Sequence, residues 1–288
     1  MNGNDRIVVV TGATGQQGGA VTTRLLADGW RVRAITRDPA AAKARELAAA
    51  GAEVVAADQL DRDSLAPPMR GAYGVFSVQA GPMAPGQDEY ASGKNVIDAA
   101  READVEHIVY SSGADAERTS SFGLQPAKWA LEQYLGDDAT ILRPASFMEN
   151  LVHPVWGLHD GKLTTAIRGD LRQPLIALDD IAAFTALALA NPGDFRETLE
   201  LAGDVRTPIE QAAAMAEMTG LPITYEPVPL DAIRARSETG ARGFELLNSG
   251  EVGSRADVAA LRARHPGLLT FDGWLAAKGA ALVKRAAS

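Results

Sequence analysis

The sequence contains no cysteine and only four histidines in 288 residues. Disulfides, thiolate-bound zinc or iron-sulfur clusters and a cysteine nucleophile are thereby excluded, and little remains from which to build a metal site. Positive charge is also scarce: 28 Lys and Arg stand against 37 Asp and Glu, a net charge of −9. A chain that neutralises a phosphate backbone needs the opposite balance, so direct nucleic-acid binding is not expected. Long apolar runs are missing too. No stretch approaches the roughly 18 to 20 uninterrupted apolar residues that span a bilayer, so no membrane role is expected. The N-terminus passes from MNGNDR into IVVV without a charged and then apolar leader, which points to the cytoplasm.

The residues present are those of an ordinary globular protein, 46% apolar and 23% charged. Over the first half, short apolar runs alternate with helical patterns. Strands are expected at 6–10, 31–36, 53–56, 73–78, 107–111 and 139–142, the last stopped by Pro144. Helices are expected at 17–28, after Pro39, at 62–69, 89–102 and 129–135. This alternation predicts an α/β fold, a doubly wound parallel sheet of the Rossmann type covered on both faces. Residues 1–150 form the expected dinucleotide-binding domain. Residues 151–288 are expected to be mainly a smaller α/β substrate lobe, with about 178–202 returning to the first domain. In that half the spacing predicts helices at 180–190, 208–219 and 272–285, a strand near 198–201 and an extended segment at 223–228. Gly157, Gly161, Gly169 and Pro174 read as turns.

The strongest local pattern is VTGATGQQGGA, Val10 to Ala20, which puts G-x-x-G-x-x-G between the first strand and the first helix. Gly12 suits a tight turn, Gly15 a close approach of backbone to a pyrophosphate, and Gly18 close contact of helix with strand. Thr14, Gln16 and Gln17 complete this loop, and the helix amino end favours an anion. At the end of the second strand, Arg37 offers a guanidinium to a 2′-phosphate, with Thr36 as a neighbouring hydroxyl. NADP(H) is therefore preferred, while Asp38 keeps NAD(H) open. The alternative for Arg37 is a surface pair with Asp38. Asp58, beside Gln59 after the third strand, either accepts from an adenine amino group or caps its loop. Ser111 and Ser112 end the fifth strand, where their hydroxyls contact cofactor or substrate or cap the turn.

TGATGQQG (11–18), TRDP (36–39), Asp58, VYSS (109–112), KWALE (128–132), RPASFMEN (143–150) and FDGWL (271–275) together resemble the NmrA-like branch of atypical short-chain dehydrogenases/reductases. The likeness runs nearly the full length. It implies a Rossmann domain, a small second lobe and a cleft holding the nicotinamide, with Lys128 at the nicotinamide ribose and Phe147 to Asn150 lining the pocket. On the residues alone, Lys128 reads first as a surface lysine facing Glu132. The branch contains NADPH-dependent quinone reductases and non-enzymatic sensors of dinucleotide state.

One departure from the wider superfamily matters. The tyrosine expected four residues before the lysine is Leu124, and neither Tyr110 nor Tyr134 is spaced to replace it, so tyrosine-assisted carbonyl reduction is not supported. Quinone reduction demands less of an acid, and Lys128 or water suffices as proton donor. His153 and Trp156 join Phe147 and Asn150 as candidate substrate contacts, although a histidine beside Pro154 or an aromatic at this spacing also suits packing. Asp179 and Asp180 read as a cap and first-turn acid rather than a catalytic pair, and His107 and His265 show no partner by spacing. The resulting expectation is an NAD(P)H-binding oxidoreductase passing hydride to a quinone or flat conjugated carbonyl compound. The alternatives are a redox-sensing binding protein and a tailoring reductase or oxygenase of aromatic natural products. The expected partner is a small aromatic or quinone substrate, with homodimerisation a family-level expectation.

Overall fold

Val8, Val9 and Val10 are fully buried, as befits a strand covered on both faces, where continuous β-branched runs replace alternation. In the computed structural model, which describes residues 6–80, 86, 88–153 and 157–287, they lie in β1 (Ile7–Val10). There follow α1 (Gln16–Ala27), β2 (Arg31–Thr36), α2 (Ala42–Ala49), β3 (Glu53–Ala56), α3 (Arg62–Met69), β4 (Gly74–Ser77), α4 (Glu89–Glu102), β5 (His107–Ser111), α5 (Ala116–Ser121), α6 (Pro126–Leu135) and β6 (Thr140–Pro144). Next come β7 (Ser146–Phe147), β8 (Gly157–His159), β9 (Lys162–Thr165), β10 (Gln173–Ile176), α7 (Leu178–Ala190), α8 (Pro192–Phe195), β11 (Thr198–Leu201), β12 (Asp204–Arg206) and α9 (Pro208–Thr219). The chain ends with β13 (Thr224–Pro227), α10 (Leu230–Arg234), α11 (Glu238–Ser249), α12 (Val258–Arg264), α13 (Phe271–Trp274), a π turn at Leu275–Gly279, and α14 (Ala280–Ala286).

The chain divides into two units, one of residues 1–143 and 181–199, the other of 144–180 and 200–288. In the first, seven strands run in the order β11-β6-β5-β4-β1-β2-β3, and the pairs from β6 to β3 are all parallel. The order reverses between β1 and β4. In open parallel sheets such a reversal leaves a crevice beyond the carboxyl ends of the strands, where ligands bind. Val9, Val75, Ile97, Tyr110 and Leu131 share one core cluster, which locks α4 and α6 to the sheet.

The second unit has two three-stranded sheets, β12-β10-β7 and β13-β9-β8, around a core that includes Met148, Leu163, Leu175, Phe271 and Trp274. Residues 157–176, expected only as turns, in fact hold three strands. β8 and β9 pair antiparallel with His159 opposite Lys162, and the connecting Asp160 and Gly161 both have positive φ, 47° and 73°. Asp-Gly is the residue pair such a two-residue hairpin demands. α10 and α11 form a helical hairpin, in which Arg234 meets Asp231, Glu238 and Glu245. The expected single helix at 272–285 is interrupted by the π turn, where a Cβ on Gly279 would stand 2.6 Å from the Trp274 ring. β6 also runs through Pro144 rather than stopping before it.

Candidate functional site

β1 runs straight into the glycine turn. Thr11 Oγ1 donates to the Val78 carbonyl at 3.0 Å and accepts from its N–H at 2.8 Å, tying the turn to the end of β4. Gly12 has φ +57°, and the Gly15 N–H donates to the Gly12 carbonyl at 2.8 Å. A Cβ on Gly18 would lie 2.3 Å from the Gly12 oxygen, so helix and turn meet at a distance that only glycine permits. No side chain caps the amino end of α1, and no acid occupies its first turn. The first N–H groups, those of Gln16, Gln17 and Gly18, lack intrahelical acceptors, and the positive end of the helix dipole stands with them. These residues fit the pyrophosphate of a dinucleotide.

At the end of β2, Asp38 turns its carboxylate onto the Ala40 N–H at 2.8 Å. Arg37 is exposed, and among the described residues it has no hydrogen-bond or ionic partner. The surface pair with Asp38 is therefore not formed. Asp58 Oδ1 accepts from the Leu60 N–H at 3.0 Å, which caps the loop after β3 and leaves its other oxygen without a partner among the described residues. Gln59 is held from three directions: its Nε2 donates to the Val78 carbonyl, its Oε1 accepts from Gln79, and its own carbonyl accepts from Asn95.

The carboxyl end of β5 carries the densest polar network. Ser111, fully buried, donates to Gln17 Oε1 at 2.6 Å, which links β5 to the first turn of α1. Ser112 donates to Glu132 Oε1, and Arg143 grips the same carboxylate with Nε at 3.0 Å and a second nitrogen at 2.5 Å. Glu132 is thus satisfied without Lys128, and the expected surface pairing of Lys128 with Glu132 is corrected. Lys128 Nζ instead lies 2.8 Å from Glu89 Oε1, with side chains 14% and 6% exposed. A Cβ on Gly113 would come within 3.0 Å of Lys128 Cδ, so the lysine stem lies flat over the end of β5. Tyr110 is fully buried, and burial followed by the Glu89 and Glu132 carboxylates drives its phenol far above its ordinary pKa. It stays a protonated core residue and does not stand in for the tyrosine absent at Leu124.

Sequence reasoning missed Glu89. The signal was there, because Glu89, Ser92, Gly93 and Val96 fall at helical spacing and all are buried.

In the second unit, Phe147 lies in β7 opposite Ile176. Asn150 sits in the short 3-10 stretch Met148–Val152 and His153 at its carboxyl cap, where the His153 N–H donates to the Asn150 carbonyl. Trp156 lies outside the described residues. Between Phe147 and Asn150 stands a buried carboxylate the sequence did not single out: Glu149 accepts from the Trp274 indole at 3.1 Å and the Leu178 N–H at 3.2 Å. Lys278, on the π turn, bridges Glu149 at 3.2 Å and Asp179 at 2.8 Å. Asp179 and Asp180 stand in the first turn of α7, but Asp180 is 2% exposed, accepts from the Leu269 N–H and faces His265 at 3.5 Å. Its burial, with Asp179 and Glu149 acting the same way, pushes its pKa up to about 7. Among the described residues no group of three or more His, Cys, Asp or Glu could hold a metal ion, and no helix is long and apolar enough to cross a membrane.

The family model "NmrA-like family" matches residues 4–243. An NmrA-like family domain-containing oxidoreductase, FrzB, from Cladobotryum sp is 33% identical over 256 residues, 77% of this chain and 76% of its own. Quinone oxidoreductase 2 of Escherichia coli is 31% identical over 236 residues, 76% of this chain and 77% of its own. Among solved structures, the triphenylmethane reductase of Citrobacter sp. complexed with NADP(H) superposes with a TM-score of 0.74 at 25% identity, covering 97% of this chain and 99% of that one.

Proposed function

The chain belongs to the NmrA-like family, and from that premise we propose that it is an NADPH-dependent reductase that transfers hydride to a quinone or another flat conjugated carbonyl compound. The observation that carries the proposal is Lys128. Its ammonium is held at the carboxyl end of β5 against Glu89, and the position four residues before it is Leu124. A site with one ammonium and no phenol suits an acceptor whose developing anion is stabilised by its own ring. The reduction takes one hydride and one proton; the reduced nicotinamide supplies the hydride when bound, and the proton comes from Lys128 or water.

Around that step, the uncapped amino end of α1 and the turn from Gly12 to Gly18 hold the pyrophosphate. The partner-free Arg37 supports NADPH over NADH, because its guanidinium is open to a 2′-phosphate, while Asp38 gives one carboxylate oxygen to the Ala40 N–H. Ser111 positions Gln17, Asp58 offers its second oxygen to the adenine, and Lys128 reaches the nicotinamide ribose. For the acceptor we retain Phe147, Asn150 and His153, with Trp156, as the contacts.

The test follows NADPH absorbance with purified protein and a panel of simple quinones and polycyclic aromatic ketones. Oxidation by the wild type that is lost both in Lys128→Met and in Glu89→Gln/Lys128→Met supports the reductase; the double variant is needed because the single one strands a buried carboxylate. Tight NADPH binding with no protein-dependent oxidation by any acceptor overturns it. That result favours the second reading, a binding protein that senses dinucleotide state, which Leu124 in place of tyrosine also supports.

A further inference from the structure

We propose that Glu89 is the positioning residue for Lys128, fixing its ammonium in the place from which it serves the dinucleotide. The inference rests on the cofactor role of Lys128 proposed above and adds what holds that role in geometry.

Glu89 has no local reason to be buried. The amino end of α4 is already capped by Asp88, whose Oδ1 accepts from the Ala91 N–H at 2.9 Å, so Glu89 is free of capping duty. An acid in a first helical turn is favourable when exposed, yet Glu89 turns inward, where a carboxylate is tolerated only if paired. Among the described residues its side chain has one partner, Lys128, at 2.8 Å. That contact meets the distance of an ion pair without the direction of a hydrogen bond. The ammonium carries three N–H groups, more than this one contact can use.

Two other contacts make the placement rigid. Gly93, one turn along α4 from Glu89, packs so closely on Leu131 that a Cβ there would stand 2.4 Å from its Cδ1. Leu131 is three residues along α6 from Lys128, so the close approach of the helices at Gly93 also sets the spacing of Glu89 and Lys128. From below, Gly113 leaves room for the lysine stem over the end of β5. A lysine loses much rotamer freedom when it is ordered, and a stem packed over Gly113 with its ammonium paired to Glu89 lowers that cost for a ligand, which is the advantage of preorganisation.

The experiment uses the full chain, with NADPH affinity measured by fluorescence titration and Lys128 accessibility by its labelling rate with an amine-acylating reagent, read by peptide mass spectrometry. Glu89→Gln should weaken NADPH about tenfold and speed labelling about tenfold, with Glu89→Asp restoring most of both. In a Lys128→Met background, Glu89→Gln should weaken NADPH no further. Wild-type affinity and labelling in Glu89→Gln, or an equal loss in the Lys128→Met background, overturns the positioning role. If Lys128→Met itself leaves NADPH binding and quinone reduction intact, the cofactor role of Lys128 falls, while the labelling rates still decide whether Glu89 holds the lysine.

Discussion

Glu89 and Glu149 are both buried carboxylates beside a lysine, one in each unit, and their surroundings could hardly differ more. Glu149 is met by a backbone N–H, an indole N–H and Lys278. In the same unit, Asp204 is likewise met by the N–H groups of Phe271 and Val205 and by Arg206. Among the described residues Glu89 has Lys128 alone, and on the next turn of the same helix face Ser92 Oγ is buried without a hydrogen-bond partner. A carboxylate filled by N–H donors from several elements is a staple: here it joins the first residue of α7, Leu178, and the carboxyl-terminal helices to the segment carrying Phe147 and Asn150. A carboxylate left with one cation, at the carboxyl edge of a parallel sheet, holds that cation in place.

The largest expected effect tests this contrast directly. Lys128→Met strands the Glu89 charge and should destabilise the protein by about 3–5 kcal/mol. Glu89→Gln/Lys128→Met removes both charges and should recover most of the loss, as urea unfolding would measure. Recovery of stability without recovery of NADPH affinity is the expected pair of results.

Two buried titratable groups sharpen the comparison through pH. In the first unit, burial lowers His107 to about 4; its Nε2 lies 3.1 Å from Thr140 Oγ1, whose own proton goes to the Phe195 carbonyl. Its pKa is depressed on folding, so its contribution is complete above about 6.5 and is lost as pH falls toward 4. In the second unit, Asp180 is raised to about 7, so its contribution is complete below its ordinary value of 3.8 and is lost as pH rises through 7. Each effect is on the order of 3–4 kcal/mol across its window. Unfolding measured from pH 8 to pH 5 should find His107→Gln less acid-sensitive than wild type, and the difference between wild type and Asp180→Asn shrinking as pH falls. Parallel curves for all three proteins would contradict both assignments.

A smaller effect marks Glu149 as a staple. Glu149→Ala leaves the Trp274 and Leu178 donors unsatisfied and should cost about 1–3 kcal/mol, with NADPH affinity unchanged by titration. A loss of NADPH binding in the folded variant would blur the distinction between the two carboxylates.

Legibility in the sequence followed the range of the interactions. The alternation of buried runs with helical patterns revealed the parallel sheet, and G-x-x-G-x-x-G revealed the turn after β1, because both are local patterns. Asp160-Gly161 was a legible hairpin signal passed over, since strands of three and four residues show too little alternation to be noticed. Lys128 and Glu132 stand at i,i+4, a spacing that suggests a pair on one helix; the true partners, Glu89 for the lysine and Arg143 with Ser112 for the glutamate, come from other elements. Glu89 was hidden by its charge, which reads as surface even on the buried phase of α4. The His265–Asp180 contact joins positions 85 residues apart, which no spacing rule reaches.

The central claim is that the carboxyl edge of the seven-stranded sheet is an NADPH site selected by Arg37, and it is tested most directly by titrating wild type and Arg37→Ala with NADPH and NADH. Wild type should prefer NADPH, and Arg37→Ala should weaken NADPH by about 10–100-fold, the equivalent of a charge-assisted contact of 1.5–3 kcal/mol, while leaving NADH affinity unchanged. Equal affinity of the wild type for the two dinucleotides, or a preference for NADPH that survives in Arg37→Ala, would contradict it.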